Sequence, residues 1–126
     1  YFKDNIKIVN IATFEKKYNA KIQAAIGNIP RLVEEGKNIS VPWDMDSKQK
    51  DVKTTRNSIG YSKGKILLAS AHGASVMDLA NIMVELGAQY ALNLDGGGSS
   101  AIYYNKSYKI GPGRNIPNAV LFRLKD

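Results

Sequence analysis

The chain has 126 residues, 44% of them apolar, with 18 basic against 11 acidic side chains and a net charge of +7. That length suits one compact domain with a real core, and no run approaches the ~18 apolar residues of a membrane-spanning helix. The absence of cysteine excludes disulfides and thiolate metal sites.

In chain order, Ile6–Ile11 reads as a strand, and residues 14–19 as a turn or short helix. Ile22–Ile26 reads as a short strand stopped by Gly27-Asn28, and Arg31–Glu35 as a strand running into a turn at Gly36. Residues 37–53 are polar and read as a surface loop. Within it, Asp44 and Asp46 are too few carboxylates for a closed metal cage, so no metal and no cofactor is expected.

Thr54–Tyr61 and Lys65–Ala71 flank Ser62-Lys63-Gly64 and predict a hairpin. The second arm is continuously apolar and reads as a central strand. The clearest helix is Ser75–Leu86, with Ser75 as N-cap, Asp78 completing a capping box and Gly87 as terminator. A buried strand, Ala88–Leu94, follows it. Ser100–Tyr104 reads as a further strand, residues 109–117 as a rigid loop, and Val120, Phe122 and Leu124 as a last alternating strand. Many strands, hairpin connections and one clear helix predict an α+β fold with a mixed or antiparallel sheet.

The chemistry concentrates at Asp95-Gly96-Gly97-Gly98-Ser99-Ser100. An acid leaves a buried strand and enters a loop with almost no side chains. Glycines let the backbone turn sharply and approach a ligand, and their N–H groups can cradle an anion. The serine hydroxyls add donors. The duller alternative is that Asp95 merely caps its own loop.

His72, the only histidine, stands between a strand and the helix N-terminus. It is a candidate catalyst or a hydrogen-bonded turn residue. The basic excess favours anionic partners, although a solvated basic surface is its plainer explanation. No helix-turn-helix, zinc ligand set or RNP-like motif supports specific nucleic-acid binding, and the glycine loop lacks the Gly-Lys-Ser/Thr of a P-loop.

The run Leu92-Asn-Leu-Asp-Gly-Gly-Gly-Ser-Ser100, then Gly113-Arg-Asn-Ile-Pro-Asn-Ala119, resembles the phosphodiester glycosidase family. Ala25–Gly36 is similar to that family's glycine-rich entry segment, and Thr55–Gly60 to its Arg-Thr-Ala-Ile-Gly element. The resemblance covers about residues 22–124. It implies hydrolysis of a sugar-1-phosphate diester at the sugar–oxygen bond.

On that resemblance, Asp95 acts on the sugar as base, nucleophile or charge stabiliser, with His72 as a second catalytic candidate. Arg56 and Arg114 contact phosphate by forked bonds. Gly96, Gly97, Gly98, Ser99, Ser100 and Asn118 bind substrate. The bland counterparts are a surface ion pair for Arg56, a plain turn for Arg114 and a loop-holding bond for Asn118.

The family usually carries Asp-Gly where this chain has Ala71-His72-Gly73, and its domain runs longer on the N-terminal side. Residues 1–126 are therefore read as a single unit, the C-terminal portion of such a domain, with an additional N-terminal segment or domain completing the site. Tyr1 in place of Met reads as a processed or trimmed chain, and an extracellular or cell-envelope setting is favoured. The competing function is a non-catalytic module that binds phosphorylated glycans or other polyanions.

Overall fold

The computed structural model describes residues 6–18 and 24–122. Its elements run α1 (Ile11–Lys17), β1 (Arg31–Glu34), β2 (Lys37–Asn38), α2 (Ser47–Lys50), β3 (Thr54–Ser62), β4 (Lys65–Ala74), α3 (Val76–Glu85), β5 (Tyr90–Leu94), β6 (Ile102–Tyr104) and β7 (Ser107–Ile110). Short 3-10 turns lie at Pro42–Asp44 and Gly97–Ser99. Five strands form one sheet in the order β2-β1-β5-β3-β4, with every neighbouring pair antiparallel. Strands β6 and β7 form a separate hairpin. The fold is α+β, with α3 packed on one face of the sheet.

Helix α3 starts where its cap dictates. The Ser75 hydroxyl accepts from the Asp78 N–H at 3.1 Å, and the Asp78 carboxylate accepts from the Ser75 N–H at 2.9 Å. This reciprocal box satisfies two amides that the first turn would otherwise leave unpaired. Gly87, at φ +79°, supplies the left-handed residue that ends the helix.

Val76, Leu79, Ala80 and Met83 form the buried stripe of α3, packing with Leu32, Val33, Ala88 and Ala91. Burying each large member contributes roughly 1.5–3 kcal/mol. Beneath the helix, β3 carries Gly60. A Cβ there would lie 2.5 Å from Met83 Cε and 3.0 Å from the Tyr90 carbonyl oxygen. The missing side chain is what lets α3 settle onto β3.

The β3–β4 hairpin forms as expected, turning at Lys63 and Gly64, both with positive φ. Its second arm, however, is the edge of the sheet, and β5 holds a central place between β1 and β3. The apolar run in β4 has a different cause. Leu67, Ala69 and Ala71 pack toward the core under α3. Ile66 and Leu68 alternate onto the other face, where Leu68 is exposed. Two apolar faces on one edge strand look like a central strand in sequence.

Other expectations need correction. Residues 6–10 form no strand; instead Asn10 caps α1, its side chain accepting from the Thr13 N–H at 2.8 Å. That local side-chain bond favours a helical start over an extended chain. Residues 24–26 form no strand, while Ile22 lies outside the described residues. The polar stretch 37–53 contains β2 and α2 as well as loop. Val120 and Phe122 are not in a strand, and Leu124 lies outside the described residues. Among the described residues no helix is long and apolar enough to cross a membrane.

The cap sets a pH dependence. The Asp78 carboxyl is held below its ordinary 3.8, first by the Ser75 N–H, then by the Ser75 hydroxyl and the Lys53 ammonium. A depressed folded-state pKa contributes stability that is complete above the unfolded value, near 3.9, and is lost as pH falls through the folded one. Asp78→Ala is expected to lose about 1 kcal/mol at pH 7. Urea unfolding of wild type and variant across pH 2–7 should show that difference shrinking on acidification below pH 4.

Candidate active site

Strand β5 delivers the chain to the site. Leu94 still pairs with Asn57 of β3, and Asp95 is the first residue beyond the ladder. The loop that follows is held at both ends by one buried amide. Asn57 Nδ2 donates to the Asp95 carbonyl at 2.6 Å and to Ser100 Oγ at 2.9 Å. Its Oδ1 accepts from Ser70 Oγ of β4 at 2.7 Å. Ser100, expected to face substrate, is buried and bonded to Asn57.

The loop passes so close to β3 that Gly96 has no room for a side chain. A Cβ there would sit 2.6 Å from the Thr55 carbonyl oxygen, a backbone atom fixed in the sheet. Gly97 adopts φ +57° and begins a 3-10 turn. The N–H groups of Ser99 and Ser100 donate back to the Gly96 and Gly97 carbonyls, each at 3.1 Å. The amides of Gly97 and Gly98 open that turn and have no partner inside it.

Asp95 has two polar neighbours, one within the loop and one beyond it. Its Oδ1 accepts from the Gly96 N–H at 2.9 Å, the local cap. Its Oδ2 lies 3.9 Å from Arg114 Nη2, with both side chains largely exposed. Arg114 is aimed by the loop itself. Its Nε donates to Ser99 Oγ at 2.9 Å, and its Nη2 donates to the same oxygen. An exposed pair at this distance adds little stability. What it contributes is placement of a cation beside a carboxylate.

Arg56 is engaged differently from the forked contact expected of it. It is only 9% exposed. Its Nη2 donates to the carbonyls of Lys48 and Val52, the latter at 2.8 Å. It thereby ties α2 and the following turn to β3.

Two openings result. One, of about 330 Å³, is lined by Lys48, Val52, Thr54, Arg56, Asp95, Gly96 and Gly97. The other, of about 260 Å³, shares Lys48, Arg56, Asp95 and Gly96, and adds residues such as Asn28, Asp46, Gln49 and Asn93. Together they approach the size of a small-ligand pocket.

Asp95, Arg56 and Gly96 thus meet at both openings and Gly97 at the larger one, whereas Gly98, Ser99, Ser100 and Arg114 line neither, Arg114 standing beside Asp95. His72 is exposed on edge strand β4, its Nδ1 lies 2.9 Å from Thr55 Oγ1, and it lines neither opening. Asn118 is exposed and also lines neither. Sequence reasoning missed Lys48, which looked like one lysine among many, and Asn57 and Asn93. The available signal for both asparagines was a polar residue inside a strand, where a side chain needs a partner.

Gly96→Ala is expected to destabilise the protein by about 1–3 kcal/mol, because the added methyl meets backbone on β3. Chemical denaturation measures the loss. Gly27→Ala, where a Cβ meets nothing within 4 Å, is the matched control.

Two solved structures share the fold. A hypothetical protein from Synechocystis superposes with a TM-score of 0.62 at 29% identity, over 70% of this chain and 18% of that one. The catalytic domain of zebrafish N-acetylglucosamine-1-phosphodiester alpha-N-acetylglucosaminidase, auto-inhibited by its pro-peptide, superposes with a TM-score of 0.57 at 23% identity. That match covers 69% of this chain and 34% of the zebrafish one, so the chain spans a minor part of either relative. No curated protein matches. The sequence profile of the phosphodiester glycosidases matches residues 2–123, nearly the whole length, and the chain belongs to the phosphodiester glycosidase family.

Proposed function

We propose that this protein hydrolyses the sugar–phosphate bond of a sugar-1-phosphate diester. Family membership supports a glycosidase-type reaction. The observation that carries the finer reading is the Asp95 carboxylate at a cleft lined by Lys48 and Arg56, with Arg114 Nη2 3.9 Å away.

The chemistry fits a carboxylate on the sugar side and several cations on the phosphate side. When the bond from C1 to the phosphate oxygen breaks, the leaving group is a phosphate monoester that departs as an anion. An ordinary glycoside needs a carboxylic acid to protonate its leaving oxygen. A phosphate leaving group needs charge stabilisation instead. Lys48, Arg114 and the amides of Gly97 and Gly98 supply it. Asp95 serves the sugar side. It faces the positive charge growing at C1 and takes the proton of the water whose oxygen bonds to that carbon.

The chain acts in this reading as the C-terminal portion of a longer domain, with an additional N-terminal segment or domain walling the cleft. His72 and Asn118 reach substrate only if that addition extends the site toward them.

Asp95→Asn keeps the shape and the bond from the Gly96 N–H, and the Asp95 carbonyl bond to Asn57 is unaffected. The expected result is a loss of about 10³-fold in kcat with a melting temperature within a few degrees of wild type. Release of reducing sugar from methyl diesters of hexose and N-acetylhexosamine 1-phosphates measures it. Wild-type turnover in the variant would refute the role of Asp95. Binding of the same diesters by wild type without any turnover would instead identify a glycan-phosphate binding module.

A further inference from the structure

The wall of the smaller opening holds two polar atoms that the protein leaves unmatched. Asn93 is 5% exposed and Arg56 is 9% exposed. Asn93 Oδ1 and Arg56 Nε are buried and have no hydrogen-bond partner among the described residues. One is an acceptor and the other a donor. Leaving either unpaired costs on the order of 1–3 kcal/mol.

Register places them together. Ser58 lies opposite Asn93 and Asn57 opposite Leu94. Arg56 and Asn93 therefore share a face of the sheet as diagonal neighbours across β3 and β5. Both line the same opening of about 260 Å³, as does Asp95. Asn93 is fixed there, because its Nδ2 donates to the Ile29 carbonyl at 2.9 Å. That bond sets the amide orientation and turns Oδ1 away from its only pairing. Gln49 reaches the same carbonyl, and its two bonds, to Ile29 O and from the Asp46 N–H, are both long at 3.3 Å.

We infer that this opening is the sugar subsite, with Asn93 as its specificity residue. The inference rests on the proposed hydrolysis of sugar phosphates. An acceptor and a donor on diagonally neighbouring residues of one sheet face match a vicinal pair of sugar hydroxyls. One hydroxyl donates to Asn93 Oδ1, and the oxygen of its neighbour accepts from Arg56 Nε–H. A bare phosphate has no donor to offer Asn93 when fully ionised. The carbohydrate end of the substrate, not the phosphate end, therefore occupies this side of Asp95, and the phosphate lies toward Lys48, Gly97 and Arg114.

The test uses methyl diesters of hexose and N-acetylhexosamine 1-phosphates and their monodeoxy analogues. In wild type, removal of one particular hydroxyl should lower kcat/KM by about 10–100-fold. In Asn93→Leu that penalty should fall below about 3-fold, because the acceptor is gone. Asn93→Asp keeps an acceptor at this position and should retain most of the discrimination. An unchanged deoxy penalty in Asn93→Leu would overturn the assignment, and so would its complete loss in Asn93→Asp.

If no diester is turned over, the catalytic reading fails, but the subsite is still read by binding. In ¹⁵N-labelled wild type, hexose or N-acetylhexosamine 1-phosphates should shift the Asn93 side-chain amide signals, while inorganic phosphate should not. Equal shifts from inorganic phosphate, or none from any sugar phosphate, would overturn the subsite.

Discussion

The site depends on the Asn57 side chain. Its amide reaches the first and last residues of the glycine loop and is itself held by Ser70 of the edge strand. Each bond is a neutral pairing with a net contribution near 1 kcal/mol, but the groups are buried, and an unmatched partner would cost more than the bond returns. Because the loop carries few side chains, it has little else with which to define its shape. A single asparagine in a regular strand therefore fixes where the Asp95 carboxylate and the glycine amides point. Strand alternation lets the next residue do a different job. Asn57 holds the loop on one face of β3, while Arg56, on the other, holds the Lys48–Val52 segment that forms the cleft's outer wall.

The three glycines of the loop are not equivalent. Gly96 is excluded from bearing a side chain by the Thr55 backbone, although its own φ of −128° suits any residue. Gly97 needs its positive φ of +57°. Gly98 has room for a side chain, and its carbonyl accepts from the Gly113 N–H at 2.9 Å. Steric proximity, conformation and a backbone hydrogen bond thus act at successive positions. Together they press the loop against β3 on one side and the Arg114 segment on the other. This explains why an arginine fifteen residues after Ser99 can bond to it while lying in a loop of its own.

Local signals in the sequence translated well. The Ser75–Asp78 box, the Gly87 stop, the Lys63-Gly64 turn and the strand running into Asp95 all depend on residues within a few positions of each other, and the structure has each of them. What failed was long-range. Strand β4 has a central strand's composition but an edge strand's position, because exposure of its second face is decided by which elements cover it. Arg56 was legible as a residue of interest, but its carbonyl partners lie on and just beyond a helix of four residues with no buried side chain and hence no apolar periodicity to announce it. Lys48 enters the cleft only through that attachment. Asn57 and Asn93 are legible afterwards as polar residues within strands whose partners sit 13 to 64 positions away.

The engagement of Arg56 also alters how the cleft treats an anion. A guanidinium this buried is stabilised by the carbonyl dipoles of Lys48 and Val52, and no carboxylate among the described residues pairs with it. Dipoles solvate a charge without cancelling it, so its field persists into the opening it lines. That field is stronger than one from a solvated surface lysine, because the surrounding protein screens less than water. In the proposed reaction Arg56 therefore favours the departing phosphate at a distance, while the exposed Lys48 and the loop-held Arg114 contact the phosphate oxygens. A buried cation sets the potential and two exposed ones meet the ligand.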